Sequence, residues 1–323
     1  MTDKIVFSIV IDSSQATVGN VTQWFKSFNY FQASEMKGTF LTKGSLRKYN
    51  EKSFYNGIEK ELKANKPITL GIEYEDNWLT FKKSSYHSFL TCNLTSDIFA
   101  KNKEDILKYI DLFFEKYEGI VAYACSSEDN FWQNNTDIDF FGIKNKSMNN
   151  VRLKPCPVLV GRQIVDVEYN PGHSHFIKDV WFGSCWAMWF GEKFFEFIPN
   201  EILSGFNDLY EKKQLENGSL RMMLYENLWE SELPRHREIQ WKFRRQVGMD
   251  EVAHKLMNEP DYNEIDPSIE ISTTGEFKHG GVRLITYYFD REGNVVPRSK
   301  AMESKSYEFN DKGKVVWSST VGL

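Results

Sequence analysis

The chain has 323 residues, of which 41% are hydrophobic and 26% charged, and its net charge is −5. Such a composition suits a globular protein of two or three domains, or of one large domain with an appendage, and gives no general pull toward nucleic acid or an anionic membrane. Four widely spaced cysteines (Cys92, Cys125, Cys156, Cys185) form no CxxC pair, no apolar run reaches membrane-spanning length, and no Walker A, GxGxxG, HExxH or GxSxG motif occurs.

In chain order, the apolar run Ile5–Ile11 is too short for a secretory core and reads as a strand. With no secretory signal, the expected compartment is the cytoplasm, and Asn-x-Ser/Thr triplets such as Asn93-Leu94-Thr95 read as chance matches. An aromatic helical segment follows, with Trp24, Phe25, Phe28 and Phe31. Asn50 opens a helix carrying Phe54, Ile58 and Leu62 at i, i+4 and i+8. Strands are predicted over 68–74, 78–83 and 88–94, the first two joined by the turn Glu75-Asp76-Asn77. Asn102 is predicted to cap a helix with an apolar face of Ile106, Leu107, Ile110, Phe113, Phe114 and Tyr117, and Gly119 to end it before a buried strand at 120–125. Strands joined by hairpins argue for antiparallel sheets with helices packed on one face, an α+β class.

Residues 126–150 are polar and read as a boundary between an N-terminal α+β unit (1–150) and a central one (151–258). The central unit is dominated by Trp181–Phe197, where eight of seventeen residues are aromatic. Both faces of a strand over 180–191 are apolar, which is the pattern of a central strand covered on two sides. Helices are expected after Pro199 and Pro234, and from Asp250. The acidic stretch 258–266 reads as a linker. The tail, 268–323, holds an imperfect repeat, Phe289–Val296 and Phe309–Val316, in which a glycine at each tip suits a hairpin, so a small β-meander is predicted.

Three constellations carry the functional expectations. Asp166 and Glu168 alternate along a strand, and beyond a turn His173 and His175 do the same, so these four could hold a divalent ion or activate a water; the competing reading is a solvated strand face with two structural histidines. Cys185 could be a nucleophile beside those histidines, although its small apolar neighbours suit an inert buried thiol. On the helix after Pro234, Ile239, Phe243 and Val247 stack as a core face, which leaves Trp241 outward among Arg237, Arg244 and Arg245. Trp and Arg dominate interface hot spots, so this face suits an acidic protein partner; packing within the chain accounts for it equally well. The loop from Ser126 to Asp139 adds an aromatic pair, Phe131 and Trp132, as a second partner-contacting element.

The leading expectation is an intracellular protein-binding or inhibitor protein, of the immunity, antitoxin or anti-defence kind, needing no cofactor. Nucleic acid and membrane are not expected as partners. The alternatives are a metal-dependent hydrolase or nuclease-like enzyme built on Asp166, Glu168, His173 and His175, and a homo-oligomeric scaffold assembled through the C-terminal module.

Overall fold

The computed structural model describes residues 3–38, 46–63, 68–84, 86–156, 161–258, 269–272, 277 and 279–322. Its strands are β1 Lys4–Asp12, β2 Glu35–Gly38, β3 Arg47–Lys48, β4 Ile68–Tyr74, β5 Asn77–Lys83, β6 His87–Thr95, β7 Gly119–Ser126, β8 Leu153–Pro155, β9 Gln163–Val165, β10 Ser174–Ile177, β11 Val180–Gly183, β12 Ala187–Phe190, β13 Glu211–Gln214, β14 Leu220–Met223, β15 Ile269–Ser272, β16 Arg283–Phe289, β17 Glu303–Phe309 and β18 Val315–Gly322. Its helices are α1 Val18–Ser27, α2 Glu51–Lys63, α3 Ser96–Lys116, α4 Ser127–Asn134, α5 Asp139–Ile143, α6 Asn200–Ser204, α7 Pro234–Val247 and α8 Met249–Met257. The class is α+β with antiparallel sheets, as the hairpin spacing predicts.

One ten-stranded antiparallel sheet, in the order β13-β14-β12-β7-β1-β6-β5-β4-β2-β3, dominates the molecule. Its middle strand, β1, is buried between its end residues, so both faces of the sheet are covered there. On one face Phe7 meets Phe28, with ring centroids 6.3 Å apart. On the other, Tyr123, the register partner of Ser8, stacks on Trp181 at 4.8 Å.

Helix α3 is cut to fit this sheet. Ile106, Leu107, Ile110, Phe113 and Phe114 are buried as the helical periodicity requires, while Tyr117 is half-buried. The helix starts earlier than predicted, at Ser96, and Asn102 marks a kink with non-helical φ/ψ rather than a cap. Its side-chain amide donates to the Ile98 carbonyl at 2.8 Å, so the residue meets a backbone acceptor inside the helix instead of at its start.

The sheet runs across the boundary expected near 126–150. β7 pairs with β12, Ala124 opposite Ala187 and Val121 opposite Phe190, and the segments 1–150 and 151–258 both contribute strands to it. The chain divides instead into two compact units, Met1–Leu256 and Met257–Leu323. Apart from Asn258, the expected linker at 258–266 lies outside the described residues. A chain stopped after Asn258 is expected to keep a cooperative thermal transition and its far-UV circular dichroism; a broad, non-cooperative melt would count against an independently folding first unit.

The aromatic segment differs from its prediction in one respect. It forms two strands, not one: β11 turns away to pair with β10 in a separate hairpin, and β12 enters the large sheet between β7 and β14. The chain changes sheets at Ser184–Trp186, where the small residues Ser184 and Cys185 are buried. Just beyond β12, a Cβ on Gly191 would sit 1.9 Å from the Gly119 carbonyl oxygen, so only glycine permits this approach of the two backbones. Trp186 and Trp189 are fully buried, as the two-faced pattern requires.

The second unit is a four-stranded antiparallel sheet, β15-β16-β17-β18. Gly293 and Gly313 sit at its turns with φ of 83° and 73°, the positive values expected at both repeat tips.

Candidate functional site

Pro234 at the first turn starts α7, and Gly248 in the left-handed region (φ 67°) ends it. α8 begins at the next residue, so the chain reverses and Asp250 returns to the side of Arg244. The buried side of α7 is unusually polar: His236, Gln240, Phe243, Arg244 and Val247. Ile239, expected in the core, is half-buried.

The rotation of the buried face has a physical cause. His173 and Ser184 flank the β10–β11 hairpin just outside its strands, and α7 supplies donors to their carbonyls. Gln240 donates to the Ser184 carbonyl at 3.3 Å and Arg244 to the His173 carbonyl at 2.7 Å. Arg237 instead reaches Asp129 of α4 at 2.6 Å, where the carboxylate is buried.

At the C-terminal end of this face the ring planes of His173 and His175 lie nearly perpendicular, with centroids 5.0 Å apart. Asp250 stands 3.3 Å from His173 Nε2 and 3.7 Å from His175 Nε2. These three are the group of metal-type ligands that comes together among the described residues. Arg244 sits within it. Its Nη2 lies 2.7 Å from His173 Nε2 and also contacts Asp250 Oδ1, while its Nε donates to Oδ2 at 3.1 Å. A guanidinium only donates, so His173 Nε2 accepts; Nδ1 then carries the proton and donates to the Asn170 carbonyl at 2.6 Å. The space among His173, His175 and Asp250 is occupied by a charged side chain of the protein. Burial pushes the Asp250 carboxyl up, but the hydrogen bonds and charge of the Arg244 guanidinium outweigh it and hold it well below the usual carboxylate range.

Asp166 and Glu168, predicted with His173 and His175 as metal ligands, are not part of this group. They face Lys154 at 2.9 and 3.7 Å, because β9 ends at Val165 and a 3-10 turn breaks the strand on which they were expected to alternate. Asp250 was missed; its signal was the glycine between two helical segments, which predicts a chain reversal. Cys185 is buried, with Sγ 3.3 Å from the Ala187 carbonyl oxygen.

The arginine surface predicted on α7 is mostly interior. Arg244 has no exposed side-chain surface, Arg237 is committed to Asp129 and Gln240, and Trp241 is half-buried with its ring 6.2 Å from that of His173; Arg245 remains exposed. Charge pattern on a helix cannot show this, because the pairing carboxylates come from α4 and α8.

The aromatic pair predicted on a loop lies on α4, whose N-cap Ser126 accepts from the Asp129 amide. The two rings part company. Trp132 is buried against Phe141 and Val165 and donates from Nε1 to Glu128 at 3.2 Å. Phe131 is 36% exposed. It stands with Trp132 and Phe140 in a groove of about 570 Å³ rimmed by Asp3, Lys4, Asp76, Glu128 and Lys144. Lys4 is paired with Asp76 at 2.8 Å.

No protein-family model and no curated protein matches the chain. Solved structures similar to it include two at 10% identity. The Pseudomonas aeruginosa T6SS protein PA0821 aligns with 76% of this chain and 72% of its own, at a TM-score of 0.41. A structure of the toxic C-terminal tip of CdiA from Pseudomonas aeruginosa in complex with immune protein aligns with 39% of this chain and 88% of its own, at a TM-score of 0.27.

Proposed function

We propose that the chain is a protein-binding protein of the inhibitor or immunity kind, and that the α4 groove holds its partner. The observation that carries this reading is Phe131, a half-open ring beside two other aromatics within a rim of charge. Apolar anchor pockets enclosed by polar rims are the usual energetic centres of interfaces. By contrast, the groups suited to chemistry are committed to internal contacts: His173 and Asp250 to Arg244, Asp166 and Glu168 to Lys154.

Three carboxylates, Asp3, Asp76 and Glu128, stand against two lysines on the rim. With Arg237 and Arg244 turned inward, the groove favours a partner that places an apolar side chain beside a basic one, rather than the acidic partner the sequence suggested.

The test is capture from native cell extract on immobilised wild-type and Phe131→Asp proteins of equal thermal stability. A stoichiometric partner kept by the wild type and weakened more than about 30-fold in the variant is the expected result, the effect of losing a hot spot worth about 2 kcal/mol. Equal capture by both proteins, or no stoichiometric partner at all, would remove the groove from the account. The metal reading has one observation in its favour: His175 Nε2 is buried without a hydrogen-bond partner. Titration with Co²⁺ decides it, since one equivalent bound by wild type and lost in His175→Ala would move the function toward a metal centre.

A further inference from the structure

We infer that β18 is a self-pairing edge, which joins two copies of this chain through their C-terminal sheets. The first observation is how the sheet edges differ. The large sheet ends in β13, with Glu211, Lys212 and Lys213, and in β3, which is Arg47 and Lys48. Charges on an edge are the usual protection against strand addition. The far edge of the small sheet, β15, carries Glu270, which is paired with Arg298. β18 reads Val-Val-Trp-Ser-Ser-Thr-Val-Gly and has neither charge nor proline over eight residues. Val315, Val316 and Val321 are exposed. The register with β17 shifts between Glu308 and Phe309, opposite the start of β18, so Trp317–Gly322 continue as a regular strand.

The second observation is that this strand complements itself. Two copies related by a two-fold axis normal to the sheet pair antiparallel and keep their faces, so each residue meets one of its own parity. Trp317, Ser319 and Val321 share one face, and Ser318 and Thr320 the other. Centred on Ser319, the pairing sets Trp317 opposite Val321 on both sides of the axis, Ser318 opposite Thr320, and Ser319 opposite itself. Apolar groups then meet apolar groups and hydroxyls meet hydroxyls, the combinations that stabilise cross-strand pairs. Centring on Ser318 or on Thr320 sets Trp317 or Val321 against a serine. Of these three registers the one centred on Ser319 matches like with like, and the result is a continuous eight-stranded sheet.

Sedimentation of the full chain and oxidative cross-linking test the inference together. The wild type should form a dimer at about 100 µM that dissociates on dilution, the behaviour of a modest interface. Ser319→Lys places two like charges face to face at the axis and should weaken dimerisation at least 10-fold. Diamide, which removes the two thiol hydrogens as the disulfide forms, should cross-link Ser319→Cys into dimers, because directly opposite Cβ atoms approach to about 4.5 Å, the reach of a disulfide. Lys305→Cys, on the inner strand β17, should stay monomeric in the same gel and controls for the native thiols. A wild type that is monomeric at that concentration overturns the inference. So does a dimer that Ser319→Lys leaves intact and Ser319→Cys fails to cross-link.

Discussion

Trp189→Ala should lower the free energy of unfolding by about 3–5 kcal/mol, read from urea denaturation as a shifted midpoint at unchanged slope. Trp189 is fully buried on β12, between β7 and β14, so the cavity left behind cannot open to water without disturbing three strands. Its ring also serves a polar network. Nε1 donates to Asp111 Oδ1 at 2.7 Å, while the other carboxylate oxygen accepts from Arg221 and Lys213, each at 2.9 Å. Asp111 is buried on α3, and loss of the indole leaves one of its oxygens without that donor. Trp189→Phe separates the two effects: most of the volume remains, the donor goes, and the expected loss is about 1–3 kcal/mol. An unchanged midpoint in Trp189→Ala would mean that the strand is not the interior member of the sheet described here.

The second large effect is at Arg244. Arg244→Met removes the buried partner of a part-buried ion pair and should cost about 3 kcal/mol, because Asp250 and the His173 carbonyl lose their donors. Asp250→Asn should be costly for the same reason, and the double variant should lose less than the sum of the single losses, since the two side chains act as one unit. The pH dependence has a definite sign. The Asp250 carboxyl is depressed in the folded protein, so its contribution is complete above the ordinary carboxylate range and is lost as pH falls below about 4. The gap between wild type and Asp250→Asn should therefore be widest near neutrality and narrow in acid. A gap that is constant from neutrality into acid would show that the carboxylate is not held by Arg244.

Short-range pattern made much of the fold legible. The three strands from 68 to 95, the apolar face of α3, the burial of Trp186 and Trp189 and the positive-φ glycines of the tail all follow from periodicity and turn chemistry, which are local properties. What escaped was whatever depends on distant partners. The polar stretch after Ser126 looks like a boundary, yet α4 and α5 fold there around Trp132 and Phe141, and the strand before it waits for β12 to complete the sheet. Arg244 and Arg237 look like surface groups until Asp250 and Asp129 arrive from other helices. The candidate site was half legible: the alternation of His173 and His175 was visible, whereas their carboxylate neighbour follows from the reversal at Gly248.

The position of β1 has a consequence for synthesis. β1 leaves the ribosome before the strands that flank it on either side, β6 and β7, and Ile5 meets Ser126 only after everything between them has been made. The hairpins β4–β5 and β5–β6 can form early, because their partners are neighbours in sequence. β7, which reads Gly-Ile-Val-Ala-Tyr-Ala-Cys-Ser, then docks on β1 and leaves an uncharged edge open until β12 is released. A nascent chain that stalls within that interval displays an adhesive strand with nothing to cover it, so the cell must either keep translation moving there or shelter the edge with a chaperone.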